Sequence, residues 1–98
     1  MLSIIFHRDV RDDIKSSYQW YERQAEGLGE DFLKELEASF KHIAETPELY
    51  SVMKLPIRRC VLQQFPFSVL YRIRTDVIYV VAVMHNRRKP SYWHKRLL

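Results

Sequence analysis

Ninety-eight residues, 47% hydrophobic and 29% charged, describe one domain over residues 1–98, near the size at which a single core is stable without staples. A lone cysteine, Cys60, excludes an internal disulfide framework and fits a reducing compartment; set among apolar residues, it reads as a buried, inert thiol. The net charge of +4 hides a split, because residues 1–53 carry six Lys/Arg against eleven Asp/Glu, and residues 54–98 carry ten Lys/Arg against one acid, Asp76. Such a positive half suits nucleic acid, ribosome or an acidic protein segment, with a solvated basic surface as the plainer alternative.

The opening residues, Leu2–Phe6, lack the basic start and long apolar run of a signal peptide. The apolar run Val77–Met84 is only eight residues, far short of a membrane span. The expectation is a cytoplasmic protein without a membrane partner.

Leu2–Phe6 is apolar and β-branched and predicts a first strand. Asp9 opens a helical pattern in which Val10, Ile14, Tyr18, Tyr21 and Ala25 recur at spacings of three and four. Asp9, Asp12 and Asp13 fall in its early turns, where carboxylates complement the helix dipole. Gly27-Leu28-Gly29 interrupts the pattern. A second helix carries Phe32, Leu36, Phe40 and Ile43 on one stripe and stops before Pro47. So short a connection predicts an antiparallel helical hairpin. The tyrosines and Trp20 read as core or rim packing.

Pro47–Pro56 has no pattern of its own and reads as a loop. From Ile57 the period becomes two: Ile57–Leu62 predicts a strand carrying Arg58 and Arg59, and Phe67–Arg74 a half-buried one. Thr75-Asp76 makes a turn, and Val77–Met84 is apolar enough for the sheet centre. The fold class is α+β, in the order β-α-α-β-β-β, with the hairpin packed on a small, mainly antiparallel sheet and a basic C-terminal tail.

Two glycines exclude a glycine-rich phosphate loop. His7, His42, His85 and His94 lack metal-ligand spacing, so no metal site is expected, and no cofactor motif is present. No serine sits in a nucleophile elbow. What remains is the basic set Arg58, Arg59, Arg72, Arg74, His85, Arg87, Arg88, Lys95 and Arg96, together with Tyr92 and Trp93. Arginine suits bidentate contact with phosphate or carboxylate. Alternate strand residues share a face, so only part of this set converges; Arg59, Arg87 and the start of the tail are the candidates for a common concavity. His85 reads equally as a titrating group near neutrality and as a hydrogen-bonded histidine at the sheet edge. Tyr92 and Trp93 read as rings folded back over the sheet, with base stacking as the alternative.

Trp20-Tyr21-Glu22, Gly27-Leu28-Gly29-Glu30-Asp31-Phe32, Ile57-Arg58-Arg59, Phe65-Pro66-Phe67 with Leu70-Tyr71-Arg72, and His85-Asn86-Arg87-Arg88-Lys89-Pro90-Ser91-Tyr92-Trp93 together make nearly the whole chain resemble the RelE/ParE superfamily of toxins. The resemblance implies a growth-arresting toxin, of the kind tied to plasmid stabilisation, held silent by a cognate antitoxin with an acidic segment. It also implies one of two targets. RelE-type members cut messenger RNA on the ribosome without metal: the 2′-hydroxyl attacks the phosphate and cations stabilise the transition state. On that reading Arg59 and Arg87 carry the charge, with His85 or Tyr92 moving the proton. ParE-type members bind DNA gyrase and block it, and Arg58, Arg59, Arg72, Arg87, Arg88, Trp93 and Arg96 would then be binding residues. The nuclease members place an arginine near the position of Ser68. That serine, the Phe65-Pro66-Phe67 entry and the longer tail are closer to ParE-type chains, and the expectation leans to gyrase inhibition. A degenerate toxin that only binds antitoxin is the third alternative.

Overall fold

The computed structural model describes residues 2–89 and 91–97. Strand β1 (Ser3–Phe6) leads into α1 (Val10–Gln24) and α2 (Leu28–Glu45), followed by β2 (Ser51–Lys54), β3 (Ile57–Val61), β4 (Phe67–Arg74) and β5 (Val77–His85). A one-turn helix, α3 (Ser91–His94), and a 3₁₀ turn over Lys95–Leu97 close the chain.

The strands form one sheet in the order β1-β5-β4-β3-β2. β1 runs parallel to β5, and the other neighbours are antiparallel. The helical hairpin covers one face. There Val10, Tyr21, Phe32, Leu36 and Ile43 pack against Val69, Tyr71, Ile78, Val80 and Val83. Burying one such side chain stabilises the fold by about 1.5–3 kcal/mol, and the stripe spacing of the two helices is what aims them at the sheet.

The hairpin turn is built from backbone needs. Gly27 takes a left-handed φ of 87°, which a side chain would strain. The Glu22 carboxylate accepts the N–H groups of Gly27 and Gly29 at 3.0 and 2.9 Å, capping α2 from the preceding helix. Gly29 lies so close to α1 that a Cβ would stand 2.8 Å from the Tyr18 ring and from its carbonyl oxygen. Glu35 in turn accepts the Gln63 and Gln64 N–H groups at 2.5 and 3.0 Å, tying the β3–β4 turn to α2.

The segment expected as a loop before Pro56 contains a strand. β2 pairs with β3 as a fifth, edge strand, with Ser51 opposite Arg59 and Val52 opposite Arg58. Its approach is fixed from below: the Tyr71 hydroxyl donates to the Pro47 carbonyl at 2.6 Å, and Arg58 donates to the Glu48 and Tyr50 carbonyls at 3.2 and 2.8 Å. Within β2 only Met53 is half-buried, so no alternation marks the strand in the sequence.

The second face of the sheet carries a smaller core. Trp93, 1% exposed, packs on Ile57, Leu70, Val81, Ala82 and Met84. The expectation that the tail rings fold back over the sheet is met. The β4–β5 register slips between Leu70 and Tyr71, which face Ala82 and Val80, so Val81 is the extra residue of a bulge.

Candidate functional site

Alternation along the strands divides the predicted basic set between the two faces of the sheet. Ile57 and Leu70 belong to the tail-side core, which places Arg59, Ser68, Arg72 and Arg74 on the same side. Arg58 points to the helix side, where its half-buried guanidinium is committed to the Glu48 and Tyr50 carbonyls.

On the tail-side face Arg59 is linked to the end of β5 through Ser68. Arg59 Nε donates to Ser68 Oγ at 3.0 Å, and Ser68 Oγ donates to Asn86 Oδ1 at 2.5 Å. Ser68 is 1% exposed, so its hydroxyl is a packed link from the Arg59 guanidinium on β3 to the Asn86 amide just after β5. Arg72 Nε is buried without a hydrogen-bond partner among the described residues, as is Trp93 Nε1. Arg74 stacks on Tyr79, its guanidinium carbon 4.5 Å from the ring centroid.

His85 lies on the other face. Its ring packs edge-on against Phe67 at 5.4 Å, and its Nδ1 accepts the Arg87 N–H at 3.1 Å. Arg87 is exposed, and its guanidinium enters no hydrogen bond or ion pair among the described residues. Arg59 and His85 are thus separated by the thickness of the sheet.

Tyr92 and Arg96 belong to a clasp whose centre is Asp13. The two form a bidentate pair, Arg96 Nη1 to Asp13 Oδ2 at 2.7 Å and Nη2 to Oδ1 at 3.0 Å. The Tyr92 hydroxyl also donates to Asp13, and the Val83 N–H donates to it at 3.1 Å. Arg96 donates further to the Val81 carbonyl at 3.1 Å. These last two contacts explain the arrangement. β1 stops pairing at Phe6–Val80, with the His7 N–H on the Val80 carbonyl, which leaves the next stretch of the β5 edge without a strand. Asp13 and Arg96 supply the missing acceptor and donor.

Asp13 therefore does more than complement the helix dipole, the role its early-turn position predicted. It is buried, and its side chain is 3% exposed. The signal in the sequence is an acid on the apolar stripe between Val10 and Tyr21. Hydrogen bonding to Asp13 pushes the Arg96 guanidinium further above its ordinary value, and burial, then the bond to Asp13, pushes the Tyr92 phenol up. Arg88 and Arg96 both lie over the Tyr92 ring, 4.3 and 4.6 Å from its centroid. Cys60 is buried as expected, and burial raises its thiol.

Two cavities flank α1, and of the basic set only His85 lines one of them. One, about 610 Å³, has an apolar lining from Phe6, Val10, Ile14, Leu33 and Phe40, edged by Arg8, Arg11 and Lys15. The spacing of Arg11 and Lys15 on either side of Ile14 could have revealed its rim. The other, about 670 Å³, opens between α1 and the Pro66–Phe67 entry to β4 and includes Trp20 and His85. Among the described residues no three His, Cys, Asp or Glu side chains gather as metal ligands, and no helix is long and apolar enough to cross a membrane.

Solved structures share this architecture. A chain of the chromosomal ParDE toxin–antitoxin system from P. aeruginosa superposes with a TM-score of 0.73 at 17% identity, covering 87% of this chain and 96% of that one. A mutant of the E. coli toxin RelE in the free state gives 0.64 at 15% identity, with 99% and 98% covered. The isolated E. coli RelE toxin gives 0.57 at 17% identity over all of both chains. No curated protein matches the chain significantly. These likenesses establish the fold. Residues 4–90 match the family described as ParE toxin of type II toxin–antitoxin system, parDE. With the hairpin, the mixed sheet and that match spanning most of its length, the chain belongs to the ParE family of type II toxins, whose members have a cognate antitoxin.

Proposed function

We propose that this chain arrests growth by binding DNA gyrase, not by cutting RNA. The observation that carries the reading is the Arg59–Ser68–Asn86 link, centred on the buried Ser68 hydroxyl. Cleavage through a 2′-hydroxyl needs a base at that hydroxyl, a proton donor at the leaving oxygen and cations around the phosphate, all on one surface. Ser68 occupies the position at which the nuclease resemblance expects an arginine. At 1% exposure it has no room for a guanidinium.

The proton-transfer candidates support the same conclusion. His85 packs against Phe67 on the helix side. Tyr92 donates to Asp13, and its phenol is pushed above its ordinary value, away from phenolate at neutral pH. His85 is on the face opposite Arg59, and Tyr92, though it packs on the tail-side core, has its hydroxyl committed to Asp13. The antitoxin would meet a fold whose tail half is strongly basic, which favours an acidic segment.

The test pairs two measurements on one pulse of expression: primer extension on an abundant transcript, and the supercoiling of a reporter plasmid. The expected result is relaxed plasmid with intact transcripts. Cuts confined to translated codons, lost in Arg87→Ala, would overturn the proposal in favour of a ribosome-dependent nuclease. Harmless expression without antitoxin would mark a degenerate toxin.

A further inference from the structure

The cavity between α1 and the start of β4 sets an exposed tryptophan beside an aromatic floor. Its rim is Trp20, a large ring left 52% exposed on a well-formed helix. Its floor includes Tyr21 and Phe67. Tyr21 packs edge-on against Phe65 at 4.8 Å and Phe67 at 6.0 Å, and Phe32 reaches Phe67 at 5.2 Å. That buried aromatic cluster makes the floor rigid. Trp20 stands edge-on to Tyr21 at 5.2 Å and is held in place from below while its outer face meets solvent.

The charged side chains of the lining are of one sign. Residues 1–53 are acidic in balance, with eleven Asp/Glu against six Lys/Arg, yet no lining side chain of this cavity is acidic, and Arg23 and His85 both contribute to it. Ser16, Trp20 and Arg23, at spacings of four and three, form one outward stripe of α1. The Ser16 and Ser17 hydroxyls donate to carbonyls of their own helix, at 2.9 Å to Asp12 and 2.8 Å to Asp13.

From these observations we infer that the Trp20 cavity is the docking surface for the toxin's protein target, receiving an apolar side chain flanked by a carboxylate. The inference rests on the binding-toxin reading above and names the surface through which it acts. Tryptophan and arginine are the residues that most often dominate binding energy, and they do so best over a preorganised, well-packed floor. The carboxylate follows from charge complementarity: Arg23 and His85 reward an acid, and no lining acid opposes it. A nucleic-acid strand is disfavoured, because it would require a row of cations tracking the phosphates, and one arginine beside an apolar floor does not supply it.

The experiment compares the parent with Trp20→Ala, Arg23→Glu and a control, Leu49→Ala, which removes another exposed apolar side chain far from the cavity (74% exposed). Each is scored for growth arrest without antitoxin, for rescue by antitoxin, and for inhibition of purified gyrase holoenzyme supercoiling. Because Trp20 is half exposed, Trp20→Ala should keep the parent's urea midpoint. The expected result is lost growth arrest and an inhibitory concentration at least about 30-fold higher for Trp20→Ala, a weaker loss for Arg23→Glu that shrinks with added salt, and no change for Leu49→Ala.

Full arrest by folded Trp20→Ala would overturn the inference. So would a variant that still arrests growth but escapes antitoxin rescue, since the cavity would then hold the antitoxin. Loss of binding to a single-stranded oligonucleotide in Trp20→Ala, with gyrase inhibition retained, would also overturn it. If the parent arrests growth while gyrase is unaffected, the gyrase reading falls, and the cavity is still judged by whether Trp20→Ala abolishes arrest.

Discussion

Replacing Asp13 by alanine should be among the most destabilising single changes in this protein. The carboxylate accepts from the Val83 N–H, the Tyr92 hydroxyl and both terminal nitrogens of Arg96. The Arg96 side chain is only 9% exposed, so its charge would be left largely out of water with only the half-exposed Asp9 carboxylate, 3.9 Å from Nε, as a counter-ion. Removing one partner of a buried pair costs about 3–5 kcal/mol, against a total stability of roughly 5–15 kcal/mol for a domain of this kind. At about 4–8 °C per kcal/mol for this chain length, the melting temperature should fall by roughly 12–40 °C. Urea unfolding of Asp13→Ala beside Asp12→Ala, an exposed acid one residue away, isolates the effect. Asp12→Ala should stay within about 0.5 kcal/mol of the parent. The double variant Asp13→Leu/Arg96→Met removes both charges and should recover much of the loss. An Asp13→Ala protein within about 1 kcal/mol of the parent would refute the clasp as a stabilising element.

Two further outcomes follow from the geometry. Burial holds the phenols of Tyr21, Tyr50, Tyr71 and Tyr92 above the ordinary value of 10.0, and a hydrogen bond to Glu30 does the same for Tyr18. The folded form then binds these protons more tightly than the unfolded one, so their contribution is complete below about pH 10 and is lost as pH rises through the higher folded values. Ultraviolet titration should show tyrosine ionisation delayed in native protein relative to protein in denaturant, and coincident curves would contradict this. Gly29→Ala should destabilise by about 1–3 kcal/mol by driving a methyl into Tyr18, and a urea midpoint no lower than the parent's would remove the close-approach argument.

The hairpin was legible because Val10, Ile14 and Tyr21, then Phe32, Leu36 and Ile43, repeat at helical spacing, and all of them pack towards the sheet. β3, β4 and β5 were legible from their change of period. β2 was not, because an edge strand with one half-buried residue leaves no pattern. The candidate site was less legible than the fold. A count of cations along residues 54–98 cannot say which face of a sheet each occupies, so the nuclease reading joined Arg59 to His85, which lie on opposite faces. Arg96 was read as a surface cation because its partner, Asp13, lies 83 residues earlier. Trp20 was read as packing, since a helix-borne aromatic gives no sign in the sequence of which way its outer face looks.

The reach of that clasp also sets the order of events during synthesis. β1 is made more than seventy residues before β5, and Asp13 is made 70 residues before the Val83 N–H and 83 before Arg96. Until that distal chain emerges from the ribosome, the hairpin has no sheet beneath it and Asp13 no cation beside it. Closure of the fold therefore waits on nearly all of the sequence described here, and the contacts made last are the long-range ones that slow folding most. The nascent toxin spends its synthesis without a finished surface, and that interval is open to a partner that recognises the chain before it closes.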